Sequence, residues 1–277
     1  MAGIYYVDLL DVLLAAGCAV AESATTAGWQ TRARSSGGFP APPLGVCWHH
    51  TASNTSPAND LSWMIDGSDD APIGNLLIDR DGVCWPIAAG ASNCAGKGGP
   101  ATFSRGTCPV DSGNTRLFNV EVANAGTGQP WPVVQIDAYF RASNALNARF
   151  GNLPADVITH QGYAPDRKQD PATAAAVQGP WRPGAVTSSG TWSVDDIRDE
   201  AGRRGTYPTD LEEDDMYLAT LDDGRIVVAG SAVRPVSADE LAGPFATLPR
   251  YTPGPSSYWH AWLTAAADEY TDRVGMT

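Results

Sequence analysis

Apolar positions along the chain switch between a helical and a strand period, and the switches predict a mixed architecture. Leu9, Leu10, Leu13 and Leu14 share one face of a helix that Gly17 can end. Residues 17–21 read as a short strand, and a Gly/Pro loop over residues 35–43 leads into a longer one over residues 44–50. Period-two alternation there puts Cys47 and His49 on one face and Trp48 and His50 on the other. Residues 76–78 and 83–87 form a predicted hairpin about the turn Asp79-Arg80-Asp81-Gly82. Residues 116–123 read as a buried strand in which Leu117, Phe118, Val120 and Val122 surround a single carboxylate, Glu121. Helical spacing returns over residues 133–150, with Val133, Ile136, Phe140 and Leu146 apolar and Gly151 as the stop. That helix delivers the chain to Val157-Ile158-Thr159-His160. Residues 172–189, rich in Gly, Pro, Ser and Thr, read as a meander or linker, and Ser193 caps a helix over residues 194–204. Strands and helices mixed in one domain imply an α/β sandwich, a central sheet with helices on its faces.

The pattern changes beyond residue 205. Residues 216–221 and 225–229 flank Asp222-Asp223-Gly224 as a hairpin, and Ser237-Ala238-Asp239-Glu240 is a capping box for a short helix. Trp259, Trp262, Leu263, Ala266 and Tyr270 form an aromatic-rich stripe on a terminal helix, where His260 reads as structural or solvated. Charge shifts at the same place. The 277-residue chain carries a net charge of -13, and residues 206–277 hold 4 Lys+Arg against 12 Asp+Glu, while residues 1–205 hold 14 against 19. The acidic run Glu212-Glu213-Asp214-Asp215 sits on the boundary. We therefore expect two units, residues 1–205 with a trailing linker and a small acidic α+β unit over residues 206–277.

This acidity argues against nucleic-acid binding, which needs a basic face to neutralise phosphates. No apolar run reaches the length of a membrane span, so no membrane insertion is expected. Residues 4–20 contain Asp8 and Asp11 and lack a basic lead, which argues against a secretory signal. Five cysteines without a C-x-x-C pair fit neither a disulfide framework nor a zinc knuckle, and read as buried thiols, with Cys94 the exception.

Candidate chemistry concentrates in two stretches, Trp48-His49-His50-Thr51 and His160 to Pro171, which hold three of the four histidines. A zinc ion takes neutral imidazole or anionic ligands, and a catalytic one keeps a position open. His49, His160 and Asp170 would supply three ligands. Alternation lets only one of the adjacent histidines face a given metal. Glu121 is notable because a carboxylate in an apolar strand is costly unless paired, hydrogen-bonded or protonated. Lys168 stands two residues before Asp170, where it is either a salt-bridge partner of that carboxylate or a cation that stabilises developing negative charge. Neither a P-loop, a dinucleotide fingerprint nor a Gly-x-Ser-x-Gly elbow is present, which leaves metal-assisted hydrolysis as the chemistry with a full set of parts.

These two segments resemble the zinc-dependent N-acetylmuramoyl-L-alanine amidases, the superfamily of phage lysozyme-type amidases and peptidoglycan recognition proteins. Further matches follow in family order: Ala15-Ala16-Gly17 and Gly28-Trp29-Gln30-Thr31-Arg32, which resemble the lead-in of actinobacterial and actinophage members, then Arg80-Asp81-Gly82, Ala88-Ala89-Gly90, Asn93 and Ala95-Gly96-Lys97-Gly98. The resemblance spans residues 1 to about 183. It implies a central mixed β-sheet flanked by helices, with zinc as cofactor held by His49 rather than His50, by His160 and by Asp170. It implies Glu121 as general base then acid, since Asn119-Val120-Glu121 resembles the family's Gly-Ile-Glu element, and Lys168 as a partner in charge stabilisation. Other branches carry a Tyr where Gly74 stands here. Family members often have His where this chain has Cys94, so a cleft contact differs.

The implied reaction is hydrolysis of the amide between the lactyl group of N-acetylmuramic acid and L-alanine of the stem peptide, with bacterial peptidoglycan as partner. A phage lysin, acting from the host cytoplasm on the wall, and a virion-associated hydrolase both fit. Rival readings are a non-catalytic peptidoglycan-binding module and a phage structural protein with auxiliary hydrolysis. Residues 206–277 then serve wall binding, docking, virion contact or homo-oligomer assembly.

Overall fold

The strand expected over residues 44–50 forms as β1 (Val46–His50), inside a five-stranded sheet of the larger unit. Its companions are β2 (Leu76–Ile78), β3 (Cys84–Pro86), β6 (Phe118–Val122) and β7 (Val157–Thr159), in the order β3-β2-β6-β1-β7. Four of the five run parallel and β3 pairs antiparallel to β2, so the sheet is mixed as anticipated. Register sets His49 beside Glu121 and Cys47 beside Asn119. The computed structural model describes residues 3–206 throughout and, beyond them, the backbone of four short strands.

Helices cover both faces of this sheet. On one side α1 (Leu9–Ala15), α4 (Val133–Phe150) and α6 (Val194–Arg204) pack with Val46, Trp48, Val120 and Phe118 into the main core. Trp48 stacks on Tyr139 of α4 with ring centroids 3.6 Å apart, and its indole N–H donates to Ser143 Oγ at 2.8 Å. Such a buried aromatic contributes about 3–5 kcal/mol relative to Ala. On the other side α2 (Pro57–Ile65) brings Leu61 and Met64 against Leu77, Ile87 and Ala88. Ser56 caps α2, accepting from Asn59 N, and Pro57 opens it at the position where a missing N–H costs nothing. The rest of the unit comprises β4 (Ala101–Phe103) and β5 (Gly106–Cys108), paired as a hairpin, then α3 (Gly113–Arg116) and α5 (His160–Tyr163).

Several expectations need adjustment. The buried face of α1 is Leu9, Val12 and Leu13, with Leu10 and Leu14 half-buried, because the helix meets α4 along the earlier stripe. Residues 17–21 make only an isolated bridge, Val20 to Cys84. Val133 is 49% exposed, and Tyr139 and Ala142 take up the core face of α4 instead. Gly151 ends that helix in the left-handed conformation, φ 77°, as its position predicts. Of the two readings of residues 172–189, the structure shows the meander: Val177 is buried and bridges to Trp131, and Trp181 meets Phe140 edge-on at 4.7 Å, before Ser193 caps α6.

By contact the chain divides into two units, Met1–Thr209 and Asp210–Thr277. In the second, β8 (Tyr217–Thr220) and β9 (Ile226–Ala229) pair antiparallel where the hairpin was expected, within a sheet ordered β10-β9-β8-β11 that includes β10 (Arg234–Pro235) and β11 (Arg250–Tyr251). The capping box at Ser237, the stripe from Trp259 to Tyr270, and His260 lie outside the described residues. Among the described residues no helix is long and apolar enough to cross a membrane. All five cysteines are free, and only Cys94 is not buried.

Candidate metal centre and its cleft

The C-terminal ends of β1 and β7 are neighbours because the strands are parallel and adjacent, and this brings His49 and His160 together from 111 residues apart. His49 projects from the face opposite Trp48, as alternation requires. His160 opens α5 directly after β7, and Thr159 caps that turn by accepting from Gly162 N. The chain then returns: Gln161 N donates to Asp170 O, which seats Asp170 below the two rings.

Three donor atoms converge. His49 Nδ1 and His160 Nδ1 are 2.9 Å apart, His160 Nδ1 is 2.9 Å from Asp170 Oδ2, and His49 Nδ1 is 3.3 Å from the same oxygen. The remaining ring nitrogens have acceptors. His49 Nε2 meets Asn119 Oδ1 at 3.1 Å, and Asn119 Nδ2 donates to Leu117 O, which fixes the amide's orientation. His160 Nε2 meets the Ala95 carbonyl at 3.0 Å. Donation from Nε2 to each of these acceptors is the tautomer that turns the Nδ1 lone pairs toward a metal. Three lone-pair atoms face one point. Tetrahedral zinc with bonds of about 2.0–2.1 Å would hold its ligand atoms roughly 3.3 Å apart, so the set fits a cation after opening by a few tenths of an ångström.

Electrostatics favour positive charge at this point: burial opposes it on His49, but Cys47, Cys94 and Asp170 outweigh burial and raise that imidazole well above its usual value, a demand that a cation between the rings would also meet. Burial and the His49 ring beside it lower His160 to about 4, which leaves it neutral near pH 7. Burial opposes ionisation of Asp170, but its bonds with His160 and His49 outweigh that and hold the carboxyl well below its usual range. His50 points the other way. It lies near Trp131, its Nδ1 accepts from Ala172 N at 3.3 Å, and burial lowers its pKa.

Glu121 stands on β6 directly beside His49, one of its oxygens within 4.8 Å of a His49 ring nitrogen. Among the described residues it has no ion pair: Oε1 accepts from Cys94 Sγ at 3.1 Å, and Oε2 is buried with no partner there. Burial pushes its pKa up, partly offset by the His49 ring. Gly74, φ 73°, backs this side chain, and a Cβ there would stand 3.3 Å from Glu121 Cγ. Lys168 lines the same cleft, and the salt bridge to Asp170 that its spacing allowed is not made, since the partners of Asp170 are the two histidines. The cleft itself measures about 1080 Å³ and runs past Trp63 and Asn59 of α2, Asn93, Cys94 and Asn114, with Arg34, Lys97 and Arg167 on its wall. Arg167 holds the Ala95 and Lys97 carbonyls, which braces the loop that carries Cys94.

Sequence reasoning missed Asn119, the side chain that sets the His49 tautomer. Strand alternation places it on the Glu121 face, two residues earlier, and a buried Asn there was a readable signal. It also missed α2 and Trp63, although Ser56-Pro57 is a helix-start pattern. The Ala95 carbonyl had no sequence signal, because backbone atoms carry none.

Residues 39–173 match the family described as N-acetylmuramoyl-L-alanine amidase, a segment that contains His49, Glu121, His160, Lys168 and Asp170. No curated protein matches the chain. Among solved structures, the endolysin N-acetylmuramoyl-L-alanine amidase LysCS from Clostridium intestinale is 13% identical, with 57% of this chain and 88% of that one covered, at a TM-score of 0.37. The amidase AmiD from E. coli, in complex with anhydro-N-acetylmuramic acid-L-Ala-D-gamma-Glu-L-Lys, is 21% identical over 52% of this chain and 57% of that one, at 0.38. The Drosophila protein PGRP-LB is 14% identical over 51% and 82%, at 0.35. With TM-scores this low, these likenesses carry no weight in the functional reading, which rests on the family match and the site.

Proposed function

We propose that residues 1–205 are a zinc-dependent N-acetylmuramoyl-L-alanine amidase, a hydrolase of the bond between the muramic acid lactyl group and L-alanine of the peptidoglycan stem peptide. One observation supports this above the others: Nδ1 of His49, Nδ1 of His160 and Oδ2 of Asp170 converge within 3.3 Å of one another, beside a buried carboxylate with an unpartnered oxygen. When bound there, zinc supplies Lewis acidity and activates water as a nucleophile near neutral pH.

The chain's own residues do the rest. Glu121, with an oxygen free of hydrogen bonds and its pKa raised by burial, accepts the water's proton and returns it to the departing L-alanine nitrogen. Lys168 lines the cleft with no ion-pair partner among the described residues, so its side chain is left to meet the oxyanion that develops on the lactyl carbonyl. Arg34 and Lys97, likewise without ion pairs among the described residues, suit the carboxylates of a stem peptide, and the cleft exceeds the ~300–1,000 Å³ usual for small ligands. Trp63, 54% exposed where it lines the cleft, offers a flat apolar surface to the sugar.

In this reading the protein is a phage lysin or a virion-associated wall hydrolase, and residues 206–277 form an acidic unit for wall binding, docking or assembly. The test is release of new L-alanine amino termini from purified peptidoglycan by the full chain, with and without chelator and with Glu121→Ala. Release that requires both zinc and Glu121 supports the amidase. Zinc bound at one per chain without any release would leave a non-catalytic recognition module. A pull-down of the full chain and of a chain lacking residues 206–277 on cell walls reads the role of the second unit.

A further inference from the structure

His49 belongs to a second cluster. His49, Cys94 and Glu121 each place a donor atom within 4.8 Å of the other two. Cys94 sits in the cleft wall, partly buried, its backbone N–H held by Asn114 Oδ1 at 3.0 Å. Its Sγ bonds Glu121 Oε1 at 3.1 Å, whereas Glu121 Oε2 has no partner although the residue is only 8% exposed. Buried polar atoms are nearly always satisfied, and an orphaned carboxylate oxygen beside a thiol on the wall of a cleft is the arrangement a cation would complete. A thiolate paired with a carboxylate selects thiophilic divalent ions, zinc and cadmium among them.

The second cluster does not duplicate the first. His49 Nε2 is engaged by Asn119, so the ring serves one cation, through the Nδ1 that already faces His160 and Asp170. A further ion must rest on Cys94 and Glu121, with solvent completing its shell. Cys47 is also near His49 along β1, but it is fully buried among apolar side chains and does not line the cleft.

We propose that Cys94 and Glu121 form a second, thiophilic cation site bordering the His49–His160–Asp170 centre, and that its occupation withdraws Glu121 from proton transfer. On binding, the Cys94 thiol yields its proton to solvent and no electron changes hands. Binding stands apart from the amidase reading, while the inhibitory consequence rests on it.

The full chain loaded with one zinc is titrated with Cd2+, following the ultraviolet thiolate-to-cadmium charge-transfer band together with total metal content. The expected result is a band that grows as the metal content rises from one to two per chain. Cys94→Ser should bind one metal and give no band. Glu121→Gln should weaken the band-forming step by about tenfold or more while keeping the first metal. No band at any loading overturns the proposal, as does a band already complete at one metal per chain or one unaffected by Glu121→Gln. For the inhibitory half, excess zinc should suppress amine release in the wild type at about tenfold lower concentration than in Cys94→Ser. Equal sensitivity overturns that half, whereas a chain that gives the band on titration yet releases no amine beforehand, at one zinc per chain with no cadmium added, overturns the amidase reading alone.

Discussion

The Nδ1 atoms of His49 and His160 face each other at 2.9 Å while both Nε2 atoms are tied to acceptors, Asn119 Oδ1 and Ala95 O. Two imidazoles so tethered cannot both be neutral and close unless something positive lies between them. Asn119 is the tether that mutation can remove. Asn119→Ala should free the His49 ring to rotate or change tautomer and lower metal affinity by about 10–100-fold, measured by competition with a chromophoric chelator. His50→Ala should leave that affinity within about twofold, since His50 bonds Ala172 N on the other side of the strand. Equal losses in the two variants would mean that the tautomer argument is wrong.

Glu121→Gln keeps the shape and the contact with Cys94 but cannot take a proton. Amine release from peptidoglycan should fall by about 10²–10⁴-fold, the range for a lost general acid–base, while zinc content stays at one per chain. Replacing a buried carboxylate that has an unsatisfied oxygen should also raise the melting temperature or leave it unchanged. Retained activity would assign the proton transfer to another group.

The elements that sequence made legible are those whose pattern is local. Residues 133–150 announce themselves by period and by Gly151, and Val46 to His50 by alternation, which alone sets His49 and His50 on opposite faces. The positions His49, His160 and Asp170 were legible as residue types at a family spacing, yet their convergence depends on β1 and β7 being parallel neighbours, which no single stretch encodes. Residues 172–189 stayed open between two readings for the opposite reason. Their Gly, Pro and Ser content reads as a meander or linker, but Ala174 and Val177 are core side chains and Trp181 packs against them, spread too thinly to give a period. Cys94 was noted for its departure from a common His, and its bond to Glu121 was beyond reach, because the two meet only through the fold.

Gly74 stands with a positive φ of 73° behind Glu121. Gly74→Ala should therefore carry two penalties, the backbone strain of an L-residue in the left-handed region, about 1 kcal/mol, and a Cβ crowded against Glu121 Cγ and Met64 Cε, both at 3.3 Å. The second penalty falls on the proposed base. We expect kcat to drop more than KM rises, with metal content unchanged. A loss of thermal stability with full kcat would mean that the Glu121 side chain accommodates the methyl and that Gly74 matters to the fold alone.

Glu200 on α6 joins the last turn of that helix to α4: it accepts from Arg203 and from Arg204 Nε at 2.8 Å, and Arg204 also reaches Asp137. These bonds, from Arg203 first, lower the Glu200 pKa in spite of burial. A depressed folded-state value means that stability is gained above the unfolded value, about 4.3, and is lost as pH falls from there through the folded value. Glu200→Gln should cost about 1 kcal/mol at pH 7, roughly 2–4 °C in melting temperature for a unit of this size. The difference from wild type should shrink as the pH is lowered past 4, and melting curves across that range check the sign. A gap that stays constant down to the acid limit would place the effect in lost packing of the Glu200 side chain rather than in its charge.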